Sequence, residues 1–284
     1  MGPRSVRGGP GAAALADPDG SSALHIYGQH PRQVAELHLP SRRRTDGVAV
    51  LVHGGFWRAG PPDGGRAYDR RLQDHVAVDL LRAGIPVWLV DYRAVGQGGG
   101  WPATLADAAA ALDLLVAVAP AAGLDASRAV VVGHSAGGQV AAWSAGRHLL
   151  PEGAPGASPA LRPLAVVAQA GVLDLVAAHA ADLGRGAVAG LLGGSPREVE
   201  ERYAHASPAA LVPACAPVLA VTGDLDEVVP PDQGELYAQA ARTAGATDVR
   251  VALVRGEGHS AHLDPTSQCW ALTRAVVLAA LQVR

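Results

Sequence analysis

The stretch AVVVGHSAGGQVAAWSAGRHL, residues 129–149, decides how the rest of the chain reads. Ala129–Val132 is a short, wholly apolar, β-branched run, which is the pattern of a strand buried on both faces. From Gly138 onward the alanine-rich composition predicts a helix through about Leu149. Between the two lies Gly133-His134-Ser135-Ala136-Gly137. A Gly-x-Ser-x-Gly segment at a strand-to-helix junction makes a sharp elbow, with glycines where backbone packs closely on both sides of a strained serine. The elbow lifts Ser135 to the end of a sheet and aims a helix N-terminus at any negative charge that forms there. Ser135 is therefore the candidate nucleophile, with the Ala136 N–H as a candidate oxyanion donor. The alternative is an ordinary turn with a capping serine.

Working outward, strand-like and helix-like runs alternate. Upstream, Val34–Leu39 alternates like an antiparallel edge strand and Val48–Val52 is fully apolar. Leu72, Val76, Leu80 and Ala83 recur at helical steps, predicting a helix over Asp69–Ala83 stopped by Gly84. Pro86–Val90 reads as a strand and Leu105–Ala119 as a helix ended by Pro120. Downstream, Leu164–Ala168, Pro217–Thr222 and Val249–Val254 read as strands, Gln233–Ala244 as a helix, and Thr266–Leu281 as a closing amphipathic helix. Continuous apolar strands alternating with helices imply an α/β fold, a mostly parallel central sheet with helices on both faces. Ligands on such sheets bind beyond the carboxyl ends of the strands. Residues 174–213, with Gly184, Gly186, Gly190, Gly193, Gly194 and Pro196, interrupt the rhythm and are expected to form a small lid or cap. Residues 151–163 read as a surface loop. The expected organisation is a flexible N-terminus over 1–20 and a single domain over 21–284.

A serine nucleophile needs a base, and the base needs an orienting carboxylate. Two loops follow strand ends downstream, in the order acid then histidine. Thr222-Gly223-Asp224-Leu225-Asp226-Glu227-Val228-Val229-Pro230 offers two aspartates, and Gly256-Glu257-Gly258-His259-Ser260 offers a histidine. Asp226, two residues before Val228-Val229-Pro230, is taken as the acid, with Asp224 tying down the turn. His259, in the Gly-flanked loop, is taken as the base. His262 is a candidate pocket residue, as is His134 within the elbow. Upstream, His53-Gly54-Gly55-Phe56-Trp57 ends an early strand. Oxyanion stabilisation needs backbone N–H groups that no side chain obstructs. Gly55 and Phe56 are the expected donors beside Ala136. His53 organises the loop, and Trp57 either walls the pocket or packs beneath it.

Composition excludes other chemistry. The 284 residues are 49% apolar and 17% charged, with a formal net charge of -3, which suits neither nucleic acid nor an anionic membrane. Every basic side chain is arginine apart from histidine; without lysine, Schiff-base chemistry and a Ser–Lys dyad are excluded. Arg42-Arg43-Arg44 reads as a solvated turn. The two cysteines, Cys215 and Cys269, have no metal-ligand spacing and read as buried apolar residues in a reducing, cytoplasmic setting. No apolar run of membrane-spanning length escapes interruption by Gly, Pro or charge. No metal or organic cofactor is expected. The expected partner is a small-molecule substrate, with a homodimer left open.

On these residues the chain resembles the α/β-hydrolase superfamily over residues 34–284. Within it the chain is similar to the branch of arylformamidases (kynurenine formamidases) and related carboxylesterases. The matching pieces are His53-Gly54-Gly55-Phe56-Trp57, Asp91-Tyr92-Arg93, Gly133-His134-Ser135-Ala136-Gly137-Gly138, Gly171-Val172-Leu173-Asp174-Leu175, Ser207-Pro208 and the two C-terminal loops. The resemblance implies an α/β-hydrolase fold and a serine hydrolase that works through an acyl-enzyme. Formamidases usually carry Tyr where this chain has Phe56, and the Gly96–Pro102 stretch departs from them. A carboxylic ester with a small or medium acyl group and an apolar or aromatic leaving group therefore ranks ahead of a formamide. Acyl transfer or cyclisation on the same fold is a further alternative. A ligand-binding protein on a disabled hydrolase fold would lack a triad member, and none is missing.

Overall fold

A computed structural model describes residues 5–7, 20–61, 65 and 67–283. Strands β1 (Ser5–Arg7), β2 (Ser21–Ile26) and β3 (Val34–Leu39) lead into β4 (Val48–Val52), α1 (Asp74–Arg82), β5 (Val87–Val90) and α2 (Ala103–Val118). Then come β6 (Ala129–His134), α3 (Ala136–Gly146) and β7 (Ala165–Gln169). Three short helices follow, α4 (Leu175–Ala180), α5 (Ala187–Leu192) and α6 (Glu200–Ala206), before β8 (Val218–Gly223), α7 (Asp232–Thr243), β9 (Val249–Val254) and α8 (Gln268–Ala280).

The strands form one sheet in the order β1-β2-β3-β5-β4-β6-β7-β8-β9. The six strands from β5 to β9 in that order are parallel, and β1, β2 and β3 add antiparallel strands at one side. Val52 at the end of β4 lies opposite Val90 of β5 and Gly133 of β6. The next residues along each strand, His53, Asp91 and His134, therefore arrive together at the carboxyl edge. From β4 the chain crosses to β5 on one side, then returns to β6 on the other. On open parallel sheets such a reversal of strand order is the place where ligands bind.

Alternation along the strands divides the core. Val48, Val50 and Val52 join Leu105 and Leu112 of α2 and Val140 and Trp143 of α3 on one face. Ala49 and Leu51 join Val76 and Leu80 of α1 and Trp270 and Val277 of α8 on the other. The core is aliphatic around four fully buried tryptophans, Trp57, Trp88, Trp143 and Trp270. Each indole N–H has an acceptor: Gln139 Oε1, the Ala111 and His205 carbonyls, and Asp79 Oδ2 respectively. A buried indole leaves its donor satisfied in this way.

Several sequence expectations are corrected. Of the N-terminal segment expected to be flexible, residues 1–4 and 8–19 lie outside the described residues, whereas Ser5–Arg7 pairs with Ala23–His25 of β2. The Asp69–Ala83 helix begins as a 3-10 turn, Arg70–Gln73, because the Asp69 carboxylate caps the Arg71 N–H. Ala103–Ala122 is long and apolar enough to cross a membrane despite Asp107, Asp113 and Pro120; half of it is buried in the protein, as in a core helix. Cys269 is buried and Cys215 is exposed, in the loop before β8, and both are free thiols. Residues 174–213 fold as α4, α5, α6 and a 3-10 turn, Pro208–Ala210.

Candidate active site

Ser135 stands between β6 and α3 at φ 57°, ψ −119°, a region that an L-residue occupies only under strain. Its neighbours explain how the turn closes. A Cβ on Gly133 would collide with the Gly137 carbonyl, and one on Gly137 with the Val52 carbonyl, so the elbow packs against itself and β4. Ser135 is 3% exposed, and its N–H bonds the Gln169 carbonyl at 2.8 Å.

The acid and base loops leave β8 and β9 side by side. His259 Nδ1 donates to Asp226 Oδ2 at 2.9 Å. The other Asp226 oxygen accepts the N–H groups of Val228 and Val229, each at 2.9 Å. Burial acts to raise the Asp226 pKa, but the hydrogen bond and charge of His259, with the two N–H donors, hold it below its ordinary value. Asp224 instead accepts the Gly256 N–H at 2.6 Å and pins the two loops together. Among the described residues no hydrogen bond joins the Ser135 hydroxyl to the His259 ring; such contacts commonly tighten only when substrate binds.

Two further histidine rings lie tilted in series beside His259. His134 lies with its ring 4.6 Å from that of His259 and 5.8 Å from that of His262. Because a carbonyl only accepts, His134 Nε2–H must donate to the His259 carbonyl, at 2.9 Å. Burial, then the charges of His259 and His262, keep the His134 pKa well below the ordinary imidazole value. His262 is completely buried and neither ring nitrogen has a partner among the described residues. Burial and the neighbouring His259 lower its pKa to about 4. His262 therefore sits behind the cluster rather than on an open pocket wall.

The loop after β4 takes the opposite side. Gly55, Phe56 and Trp57 all have positive φ, at 111°, 55° and 56°. Glycine at 55 is required twice over, by its φ and because a Cβ there would collide with the Tyr68 side chain. The Gly55, Phe56 and Ala136 N–H groups have no acceptor among the described residues, as suits oxyanion donors. Phe56 is half-buried against Gly184, between α4 and α5, and lies under the Arg58 guanidinium, 5.9 Å away. Trp57 points inward instead. It is 1% exposed and donates to Gln139 Oε1 at 3.0 Å, while Gln139 Nε2 donates to the Ala206 carbonyl at 2.8 Å. Of the two roles expected for Trp57, the structure shows packing.

Sequence reasoning missed the charged residues beneath this loop. Asp91 Oδ1 accepts Arg32 Nε at 3.0 Å and Arg32 Nη2 at 2.7 Å, and Asp91 Oδ2 faces Arg70 Nη1 at 3.3 Å. Arg70 Nε reaches Glu36 Oε2 at 3.0 Å. Burial works to raise the Glu36 pKa, but the contacts of His38 and Arg70 lower it to about 2. The Asp91-Tyr92-Arg93 match was the one signal pointing here; the partners Arg32 and Glu36 carried none. Arg93 forks onto Asp107 at 2.7 and 2.8 Å and so braces the Gly96–Pro102 loop.

No curated protein matches the chain. Among solved structures, esterase B from Lactobacillus rhamnosis inhibited by a C4-C4 tributyrin phosphonate superposes with a TM-score of 0.75 at 20% identity, covering 93% of this chain and 87% of that one. A truncated carbohydrate esterase from gut microbiota gives 0.70 at 21% identity, over 90% and 94%. Carboxyl esterase 2 from the fungus Tuber melanosporum gives 0.69 at 18%, over 94% and 89%. At these identities the likeness establishes the α/β-hydrolase fold and no more. The family model BD-FAE matches residues 36–240, which include the nucleophile elbow, the loop after β4 and Asp226. With nearly three quarters of its length matched, the chain belongs to the BD-FAE family, within the α/β-hydrolase superfamily.

Proposed function

We propose that the protein is a serine carboxylesterase acting on esters with a small or medium acyl group and an apolar or aromatic leaving group. One observation carries the reading: a strained serine at the head of a helix, with an aspartate-paired imidazole on one side and three unpartnered N–H groups on the other. His259 takes the Ser135 proton as Oγ bonds to the ester carbonyl carbon. The carbonyl oxygen becomes an oxyanion facing Gly55, Phe56 and Ala136. As the carbon–oxygen bond to the alcohol breaks, His259 returns its proton to the leaving oxygen. Water then attacks the acyl-enzyme by the same route and frees the acid and Ser135.

The substrate size is supported by residues 174–213, which hold five glycines and one large aromatic, Tyr203, and so offer little with which to enclose a long acyl chain.

The test is a panel of p-nitrophenyl esters of increasing acyl length beside N-formylkynurenine, with wild type and Ser135→Ala. Short esters are expected to have the highest specificity constants, and Ser135→Ala to retain less than about a thousandth of the activity. A preference for long chains would remove the small-pocket reading. A much higher constant for N-formylkynurenine would make the protein a formamidase.

A further inference from the structure

The Gly55 N–H has no acceptor among the described residues, and its peptide is held from behind. His53 Nδ1 donates to the Gly54 carbonyl oxygen at 2.7 Å. The Gly54 carbonyl and the Gly55 N–H belong to one planar trans peptide, so they point in opposite directions. Holding the carbonyl on His53 therefore turns the Gly55 N–H away from His53. Ser135 is close at hand, since a Cβ built on Gly54 would lie 3.0 Å from Ser135 Cβ.

His53 is itself held on every side. Its ring stacks on Tyr92 with centroids 4.3 Å apart and planes 5° from parallel, and the Tyr92 hydroxyl donates to the His53 carbonyl at 2.8 Å. His53 Nε2 lies 3.2 Å from Asp91 Oδ1 and 3.4 Å from Arg32 Nη2. Arg32 makes a second connection, because Nη2 also donates to the Tyr68 carbonyl at 2.5 Å. The Tyr68 side chain fills the space against Gly55 where a Cβ would be. One guanidinium thus reaches the Gly54–Gly55 peptide by two routes, through Asp91 and His53 and through Tyr68. Burial pushes the Asp91 pKa upward, but the His53 contact and then the Arg32 charge outweigh it, so the carboxylate stays ionised.

We propose that Arg32, from the turn between β2 and β3, is a positioning residue for the oxyanion site: through Asp91, His53 and Tyr68 it aims the Gly55 N–H at the developing oxyanion. The proposal rests on the esterase reading above. A planar fork with several donors suits the task, and a lysine would supply charge without the fork.

Thionoesters separate aiming from general structural support. Sulfur accepts hydrogen bonds poorly, so a misaimed donor slows an oxygen ester more than its sulfur analogue. For Arg32→Gly we expect kcat on the oxygen ester to fall roughly 10- to 100-fold with KM within about threefold, since a misplacement near 1 Å costs on that order. The thionoester rate should change less, so the oxygen-to-sulfur rate ratio falls, and millimolar guanidinium should restore it. His53→Asn, which keeps a donor near the Nδ1 position, should preserve the ratio better than His53→Leu; this pair serves if Arg32→Gly does not fold. Equal losses on both substrates, or a loss confined to KM, would overturn the proposal. Wild-type turnover with ratios unchanged in every variant would overturn it alone, whereas a wild type inactive on all esters would overturn the esterase reading with it.

Discussion

On one side of Ser135, His259 is held by a single carboxylate, with the His134 ring tilted against it and His262 beyond. On the other, the Gly54–Phe56 loop rests on four buried or nearly buried charged side chains, Arg32, Asp91, Arg70 and Glu36. The difference follows from the tasks. On the esterase reading the base changes charge in each half-reaction, and among the described residues the one hydrogen bond of the His259 ring goes to the Asp226 carboxylate. On the same reading the oxyanion donors never change charge and need only to stay where they are, so fixed ion pairs can support them without interfering with proton transfer.

The largest expected effect separates the two in activity. Asp226→Asn should lower turnover on the order of 10,000-fold by disfavouring the useful His259 tautomer. Its stability should change little, because an amide oxygen can still accept from Val228 and Val229. Asp224→Asn should cost only a few-fold. Equal losses at the two positions, measured on one short ester, would move the acid to Asp224.

The complementary experiment removes a charge from the other side. Asp91→Asn takes from Arg32 its one ion partner among the described residues and leaves Arg70 with Glu36 alone, and breaking a buried pair in this way typically costs about 3–5 kcal/mol. Urea unfolding midpoints should register that loss. An Asp91→Asn protein as stable as wild type would show that the ion pairs do not hold the loop.

The smallest effect concerns acid stability, and its sign differs in origin between the sides. The folded pKa of His262, about 4, lies below the ordinary 6.5, so the unfolded chain takes up this proton first. Its contribution to stability is full above about 6.5 and declines as pH falls toward 4, by at most about 3 kcal/mol. Glu36 is also depressed, from 4.5 to about 2, so its contribution is full above about 4.5 and is lost as pH falls toward 2. His262→Leu should therefore flatten the decline in Tm between pH 6.5 and 4 and leave the lower window unchanged. Parallel wild-type and variant curves across the upper window would discount the imidazole cluster as its source.

Legibility in the sequence divides along the same line. Ser135, Asp226 and His259 sit in loops whose glycines, order and strand flanks announce them, and the interior strands were readable as apolar runs. β2 was missed because Ser21–Ile26 is half exposed and follows neither a clean alternation nor a continuous apolar run. Arg32 and Glu36 were missed because isolated charges near a strand that reads as an edge look solvated, whereas β3 is paired on both sides; their partners stand 59 and 34 positions away. Trp57 was left between two roles because a loop's sequence does not tell which way its side chains turn, and Gln139, which receives it, lies 82 residues on.

The strand order has a consequence for how the protein comes into being. Arg32 enters from one flank of the sheet, beyond β3, and His259 from the other, after the edge strand β9. Between them every central strand must already be in register before the nucleophile, base and oxyanion loop can meet. Such distant pairings close slowly, because the chain loses loop entropy before the contacts reward it. No fragment and no half-formed sheet can hold the complete site. During refolding, the return of turnover therefore keeps time with the final closure of the whole sheet, later than the return of helical signal.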